Sequence, residues 1–494
     1  MKIALIIPRN KSEDGRSFYD YSFISRFLFT NKYFSYLLAI PTIASLTPPG
    51  HEVRVFDENI GAIDYDWGAD LAGISVRTMF ANRAYAISEE FRKRGVRTVL
   101  GGIHPSMCTE EALQHCDAVV IGEAEYVWPA LLDEAEKGDM KRTYCANRLS
   151  DLTNQPVPDR ARLAPDGYFV DMVQTTKGCP FHCEFCSVHA FDGTSIRNKT
   201  VAQVLKEIEN LQGGAARFKK RSVFFADDNI IANKKFAREL FSALKPCNLN
   251  WSCQASINIG RDDDLLTLMR ESGCGAIFIG LESVSAENLS RMGKGVNLRH
   301  DYATAISNIQ SHGMLVHGSF IVGYDFDTQG SMDELIGFIE ETKLLMPLIN
   351  ILTPFPGTRL YARLEEEGRI LHRDWSKYDS KSVVFRPASM SPEELSEGYR
   401  KVVRSVYSFD AIYKKLSHYW NTDFWSHSNR IDPIRFRYRL LFFLRLCSFL
   451  FSSNIERSRF IIRILPKVLF DKRVRISTIL TLMNFNDYAY YAER

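Results

Sequence analysis

Cys179, Cys183 and Cys186 stand in the run Thr175-Thr176-Lys177-Gly178-Cys179-Pro180-Phe181-His182-Cys183-Glu184-Phe185-Cys186, a C-x3-C-x2-C spacing directly behind an apolar, strand-like stretch. Thiolates this close together on a tight loop can point into one small volume. No fourth cysteine completes the set, whereas cubane iron–sulfur clusters are normally held by four. A four-iron cluster on three thiolates keeps one iron open to a ligand the protein does not supply, and that iron is a place for chemistry. Zinc is the competing reading. A structural zinc site wants four ligands and paired C-x2-C geometry, and the nearby imidazoles, His182 and His189, do not repeat at finger spacing. Cysteine is also often a small buried hydrophobe. The remaining cysteines (Cys108, Cys116, Cys145, Cys247, Cys253, Cys274 and Cys447) are scattered, which suits a reducing cytosol better than a disulfide framework.

The motif resembles that of the radical S-adenosylmethionine (SAM) superfamily. The resemblance implies a 4Fe-4S cluster whose open iron chelates the methionine part of SAM. It also implies electron delivery that breaks a carbon–sulfur bond to give a 5′-deoxyadenosyl radical.

Such a loop needs a scaffold. At 494 residues, 45% hydrophobic and 24% charged, the chain has the balance of a soluble globular protein of two or three domains. The opening MKIALIIPRNK reads as a first β-strand rather than a signal peptide. No stretch reaches the roughly 18 uninterrupted apolar residues of a spanning helix. The expected location is therefore cytoplasmic.

Residues 1–145 alternate apolar strands (Lys2–Ile7, Glu52–Phe56, Leu71–Ser75, Thr98–Leu100, Ala118–Ile121) with helices at Asn82–Arg94 and Val127–Lys137. That is the pattern of a doubly wound parallel, Rossmann-like α/β domain. Ligands of such sheets bind at the carboxyl ends of strands. The candidate ligand-binding residues there are Gly101, Gly102 and His104 after one strand, and Gly122 and Glu123 after another. Glycine also simply makes turns. Together with Tyr36–Pro41, Gly50–Val53 and Asp57, these segments resemble the cobalamin-binding domain upstream of one class of radical SAM enzymes. The resemblance implies cobalamin as a further cofactor. The Asp-x-His-x-x-Gly run that supplies a cobalt-ligating histidine in many cobalamin domains is replaced by Pro8-Arg9-Asn10-Lys11-Ser12-Glu13. A bound corrin would then have its lower face open or capped by another residue and be held mainly by loops and shape; the alternative is a domain that kept the fold and lost the ligand.

After a linker (146–167), residues 168–365 resume the alternation with strands at Met172–Lys177, Ser222–Asp227, Asn250–Ser256, Ala276–Glu282, Leu315–Val322 and Leu348–Thr353. Six β/α units predict a partial (β/α)6 barrel with its chemistry at the carboxyl strand ends. Asp227 and Asp228 could accept bonds from the SAM ammonium, Asp228 alternatively serving as a helix cap. Glu282 and Ser283 could hold the ribose hydroxyls. Arg197 could meet the SAM carboxylate or form a structural pair. Gly318–Asp325 resembles the segment beside the adenine, and Thr353–Tyr361 is a family-like turn.

Residues 366–429 predict a helical C-terminal domain resembling that of proteins related to the hopanoid methylases. Ser391-Pro392-Glu393-Glu394 is a well-formed helix start. Residues 430–494 form a basic, hydrophobic tail, in which Ile434–Leu450 and Arg457–Phe470 read as helices. Basic helices this rich in Phe and Leu suit a peripheral membrane surface, and packing on the barrel is the competing reading. Nucleic acid is not expected as a partner.

The resemblance implies an enzyme that methylates an unactivated carbon of a lipid-like substrate. It would be fed by an external electron donor such as flavodoxin or ferredoxin, with cobalamin carrying the methyl group. Radical ring formation or carbon–carbon coupling would use the same strand ends. Methylthio transfer would want three further cysteines that Cys108, Cys116 and Cys145 do not arrange. A non-catalytic cobalamin or redox sensor is the reading from another class.

Overall fold

The computed structural model describes residues 1–9, 32–146, 149–164, 167–211, 222–422, 424, 440, 442–444, 446–447, 455–470 and 476–491. Two six-stranded sheets organise them. The first takes the order β2-β1-β3-β4-β5-β6, with β1 Lys2–Ile7, β2 Glu52–Asp57, β3 Leu71–Ser75, β4 Arg97–Gly101, β5 Ala118–Ile121 and β6 Thr143–Cys145. All its pairings are parallel. Burial on both faces explains the nearly unbroken apolar run of β1. Ala4 and Ile6 pack with Ala84, Ile87 and Phe91 of the helix Ala81–Lys93. Ile3 and Leu5 turn to the opposite face and meet Trp128 and Leu131 of Trp128–Lys137.

Two details depart from the sequence expectation. The sheet gains β6, a three-residue strand whose only buried member is Tyr144, too short to show a period. The segment after β4 is no open loop: a helix, Ile103–Met107, begins directly behind Gly102.

The second sheet runs β14-β13-β12-β11-β10-β7, again parallel. Its strands are β7 Asp171–Val173, β10 Ser222–Phe225, β11 Asn250–Gln254, β12 Cys274–Glu282, β13 Leu315–Val322 and β14 Leu348–Ile351. Trp251 on β11 sits between Phe225 and Phe241, at 5.3 and 5.2 Å between ring centroids, and donates through its indole nitrogen to the Ser272 carbonyl at 3.0 Å. Truncating it to alanine would cost about 3–5 kcal/mol.

The strand expected over Met172–Lys177 is broken. After β7 the chain leaves the sheet, and β8 (Thr176–Lys177) pairs antiparallel with β9 (Arg197–Asn198). Asp227 explains the break. Its Oδ1 accepts from the Thr175 amide at 3.0 Å, the Thr175 hydroxyl at 2.8 Å and the Thr176 amide, replacing the ladder bonds the sheet would have given.

The helices Pro392–Tyr407 and Phe409–Asn421 bury Tyr399, Val402, Val406, Ile412 and Leu416 in the same core as the barrel. A capping box starts the first of them, Ser391 and Glu394 satisfying each other's backbone amides. In the tail, Ile455–Phe470 and Ile476–Tyr491 are helical and also bury one face in that core, through Phe460, Ile464, Leu482 and Met483. Most of the expected helix Ile434–Leu450 lies outside the described residues. Among the described residues, no helix is long and apolar enough to cross a membrane.

Candidate active site

Cys179, Cys183 and Cys186 follow β8 in one loop, all as free thiols, with Cys183 buried. Gly178 starts the loop at φ 89°, and a Cβ there would overlap the Ser195 carbonyl oxygen, so no other residue fits this turn. The middle of the loop is laced to three later strand ends. The Glu184 amide donates to the Met292 carbonyl at 3.0 Å, and the Leu360 amide donates to the Glu184 carbonyl at 2.9 Å. Arg359 donates to the His182 carbonyl. The Glu184 carboxylate accepts from the Tyr324 hydroxyl at 2.6 Å and Arg363 at 2.7 Å. Neighbouring thiols interact electrostatically, and burial pushes all three up, Cys186 to about 12. Among the described residues, no three His, Cys or carboxylate side chains draw together as around a single metal ion. Three free thiols on one braced loop fit a cluster that takes three protein ligands.

The strand ends around this loop arm it unevenly. Asp227 is fully buried; its Oδ1 is taken by Thr175 and Thr176, while its Oδ2, like that of Asp228, is buried without a partner. Its Oδ1 bonds fix the entry to the cysteine loop, beside Asp228. The latter is held by the Gly178 amide and keeps a buried Oδ2 without a partner. Burial, with the Asp192 and Asp227 charges, raises its carboxyl to about 7. An orphaned carboxylate oxygen beside the cysteines fits an ammonium group. Glu282 closes β12 at a left-handed φ of 68°, a conformation unusual for glutamate. Its Oε1 accepts from Lys294 at 2.9 Å. Ser283 beside it is buried, its hydroxyl accepting from the Ser285 amide at 3.1 Å.

Lys294 is the residue the sequence reading missed. Its side chain is 14% exposed, lies close enough to Cys183 and Cys186 to be raised by their charge and by Glu282, and pulls each of the three thiols downward. Its one sequence signal is the glycine flank Gly293-Lys294-Gly295, which lets the segment lie against the His182 carbonyl. Arg197, expected as a SAM carboxylate contact or a structural pair, is the latter. It donates to both Glu123 oxygens at 2.9 and 3.0 Å and to the Ser150 carbonyl at 2.9 Å.

At the carboxyl edge of the first sheet, the expected cofactor residues are mostly engaged internally, though the His104 Nδ1 is buried without a partner. His104 is fully buried, bonded through Nε2 to the Tyr85 hydroxyl at 3.0 Å and set edge-on to Trp375. Gly102, at φ 107°, lies where a Cβ would strike the Val76 carbonyl, so it serves a tight turn. Gly101 ends β4, and the Gly122 amide donates to the Ser106 hydroxyl at 2.9 Å. Glu123 is buried; desolvation would raise it, but Arg197, Lys177 and the Ser150 amide hold it at about 2. The domain's other histidines are also engaged, His51 with the amino terminus and His115 with Glu89. A polar cavity of about 370 Å³ does open beside this edge, lined by Leu46, Glu125, Tyr126, Ser150, Asn154 and Gln155 among others. The residues lining that cavity include no histidine.

The two edges touch. Gly357, in the turn behind β14, packs on Met107 behind β4, and Glu123 behind β5 meets Lys177 and Arg197.

Comparisons with known proteins agree with this arrangement. Residues 173–339 match the radical SAM superfamily, and residues 358–492 match a domain of unknown function (DUF4070). A bacteriochlorophyllide d C-12(1)-methyltransferase of Chlorobaculum tepidum is 33% identical over 381 residues, covering 76% of this chain and 83% of that protein. The hopanoid C-2 methylase of Rhodopseudomonas palustris is 29% identical, covering 67% and 64%. The solved structure of the cobalamin-dependent SAM radical enzyme OxsB, with aqua-cobalamin and SAM bound, aligns with a TM-score of 0.62. That match covers 100% of this chain and 80% of OxsB at 15% identity, a likeness of fold.

Proposed function

The chain belongs to the radical SAM enzymes, and from that premise we propose that it uses cobalamin as well and methylates an unactivated carbon of a large, apolar, multi-ring substrate. The observation that carries this reading is the contact between the carboxyl edges of the two sheets, through Met107 with Gly357 and Glu123 with Lys177 and Arg197. Two cofactor sites on those edges would open toward one interior. When bound, the cluster and SAM supply a radical that removes a hydrogen atom, and cobalamin supplies the methyl group.

The protein's part is binding, orientation and exclusion of water. Cys179, Cys183 and Cys186 would hold the cluster. Asp228 would accept the SAM ammonium on its unpartnered oxygen, and Lys294, held by Glu282, would face its carboxylate. Ser283 stays the candidate for the ribose. Glu184 and Asp227 brace the loop from opposite sides, so the thiols stay aimed while ligands come and go.

The relatives named above act on a pigment macrocycle and a polycyclic lipid, which supports a substrate of that apolar class. A flavodoxin or ferredoxin would supply the electron. A membrane surface, where such substrates reside, is a further part of the proposal. Ile455 and Ile462 stand 67% and 60% exposed on the helix Ile455–Phe470 beside the exposed Arg459.

The test is anaerobic turnover with methyl-deuterated SAM, a strong reductant and bacteriochlorophyllide d as probe acceptor. The proposal predicts 5′-deoxyadenosine together with a deuterated product. 5′-Deoxyadenosine with no label transfer to this or to a polycyclic lipid acceptor would speak for non-methylating radical chemistry. Absence of 5′-deoxyadenosine would refute the proposal outright.

A further inference from the structure

β8 and β9 form a ladder of two pairs, Thr176↔Asn198 and Lys177↔Arg197, and everything between them, including the three cysteines, is one excursion of the chain. The second pair consists of two cations, and both reach across to the first sheet. Lys177 Nζ lies 3.0 Å from Glu123 Oε1 and 2.9 Å from Glu125 Oε1. Arg197 grips both oxygens of Glu123. Its guanidinium also donates to the Ser150 and Asp192 carbonyls at 2.9 and 3.0 Å, and the Ser150 amide donates back to Glu123. The side chain of Glu123 is 1% exposed, those of Lys177 and Arg197 14%.

Burying ions in this way is a weak route to stability, because desolvation offsets the attraction and apolar packing would hold two domains as well or better. What a forked arginine–carboxylate pair adds is direction: two parallel bonds fix angle as well as distance. Here the fixed object is the stem of the cysteine loop, and it is fixed to the residue just behind β5, where the cavity beside Glu125 opens.

We propose that Glu123 is a positioning residue that locks the cluster-bearing hairpin to the carboxyl edge of the first sheet and so sets the separation of the two cofactors. The inference rests on the two-cofactor reading above. Methyl transfer to a short-lived carbon radical demands such a lock, since a displacement of about 1 Å can cost about 100-fold in rate.

The test uses full-length protein reconstituted with iron, sulfide and hydroxocobalamin, then reduced to pair a paramagnetic cluster with cob(II)alamin. Magnetic coupling between the two spins reads their separation without any substrate. Wild type should show one well-defined coupling. Glu123→Gln should keep its iron and cobalt yet lose the single coupling to a broad distribution. Arg197→Lys, which keeps the charge and loses the fork, should broaden it less, and it stands in if the first variant does not fold. An unchanged coupling in a fully loaded variant overturns the inference while leaving the two-cofactor reading intact. A wild type that takes up no cobalt overturns that reading and the inference with it.

Discussion

The two carboxyl edges that meet in this protein are armed in opposite ways. The barrel edge gathers side chains with spare chemical capacity: three thiols, carboxylate oxygens without a partner on Asp227 and Asp228, and a half-buried lysine held by Glu282. At the edge of the first sheet, Glu123 is bonded to Lys177 and Arg197, the glycines serve turns, and His104 is bonded to Tyr85 through Nε2, with Nδ1 left over. The lesson concerns how each cofactor would be held. A cluster needs covalent ligands, so its edge must expose reactive groups. A corrin can be held by backbone, cavity shape and a neighbouring domain, so its edge can spend its charged residues on assembly.

The sharpest way to break this contrast is Cys183→Ala. It should abolish cluster assembly and reduce 5′-deoxyadenosine to background, read by iron analysis and product chromatography, while cobalt uptake persists. Next in size is Glu123→Gln, which removes the charge facing Lys177 and Arg197 but keeps an oxygen acceptor, while Lys177 retains Glu125 and Arg197 the Ser150 and Asp192 carbonyls. Loss of a hydrogen bond to a charged group costs about 1.5–3 kcal/mol, measured by denaturant unfolding at neutral pH. The pH dependence has a definite sign. Glu123 is lowered from 4.5 to about 2 on folding, so its contribution is complete above 4.5 and lost as pH falls toward 2. The difference between wild type and variant should shrink across that window.

Asp228→Asn sharpens the barrel side. Loss of a hydrogen bond to a charged group, about 1.5–3 kcal/mol, predicts roughly 10- to 100-fold weaker SAM binding by calorimetry. Its raised carboxyl, at about 7, must ionise to receive an ammonium, so wild-type affinity should rise with pH through 7 and the variant's should not. Asp227→Asn should instead loosen the loop and lower cluster retention. The smallest effect is expected from His104→Gln, a loss of about 1 kcal/mol from one buried hydrogen bond with cobalt uptake unchanged. A loss of cobalt there would make His104 a cofactor contact after all.

Much of this was legible in the chain. Parallel strands buried on both faces leave apolar runs, so β1, β3 and β5 fall where the pattern puts them. The cysteines are close in sequence because one loop must carry them. Other features depend on partners far along the chain. Asp227 looks like Asp228 until Thr175 and Thr176, about fifty residues earlier, are seen to claim it. Arg197 could serve a ligand or a domain contact, and only the position of Glu123, 74 residues away, decides. Lys294 carries no local sign of the cysteines it faces. The break after β7 follows from the same Asp227 contact, which no strand propensity encodes.

The most direct test of the central claim is metal content after anaerobic reconstitution with iron, sulfide and hydroxocobalamin, followed by desalting. The account predicts one cubane's worth of iron and stoichiometric cobalt in the same chain, with iron lost and cobalt kept in Cys183→Ala. A cubane without cobalt would contradict the two-cofactor assignment, and a folded protein that assembles no cluster would contradict the account at its root.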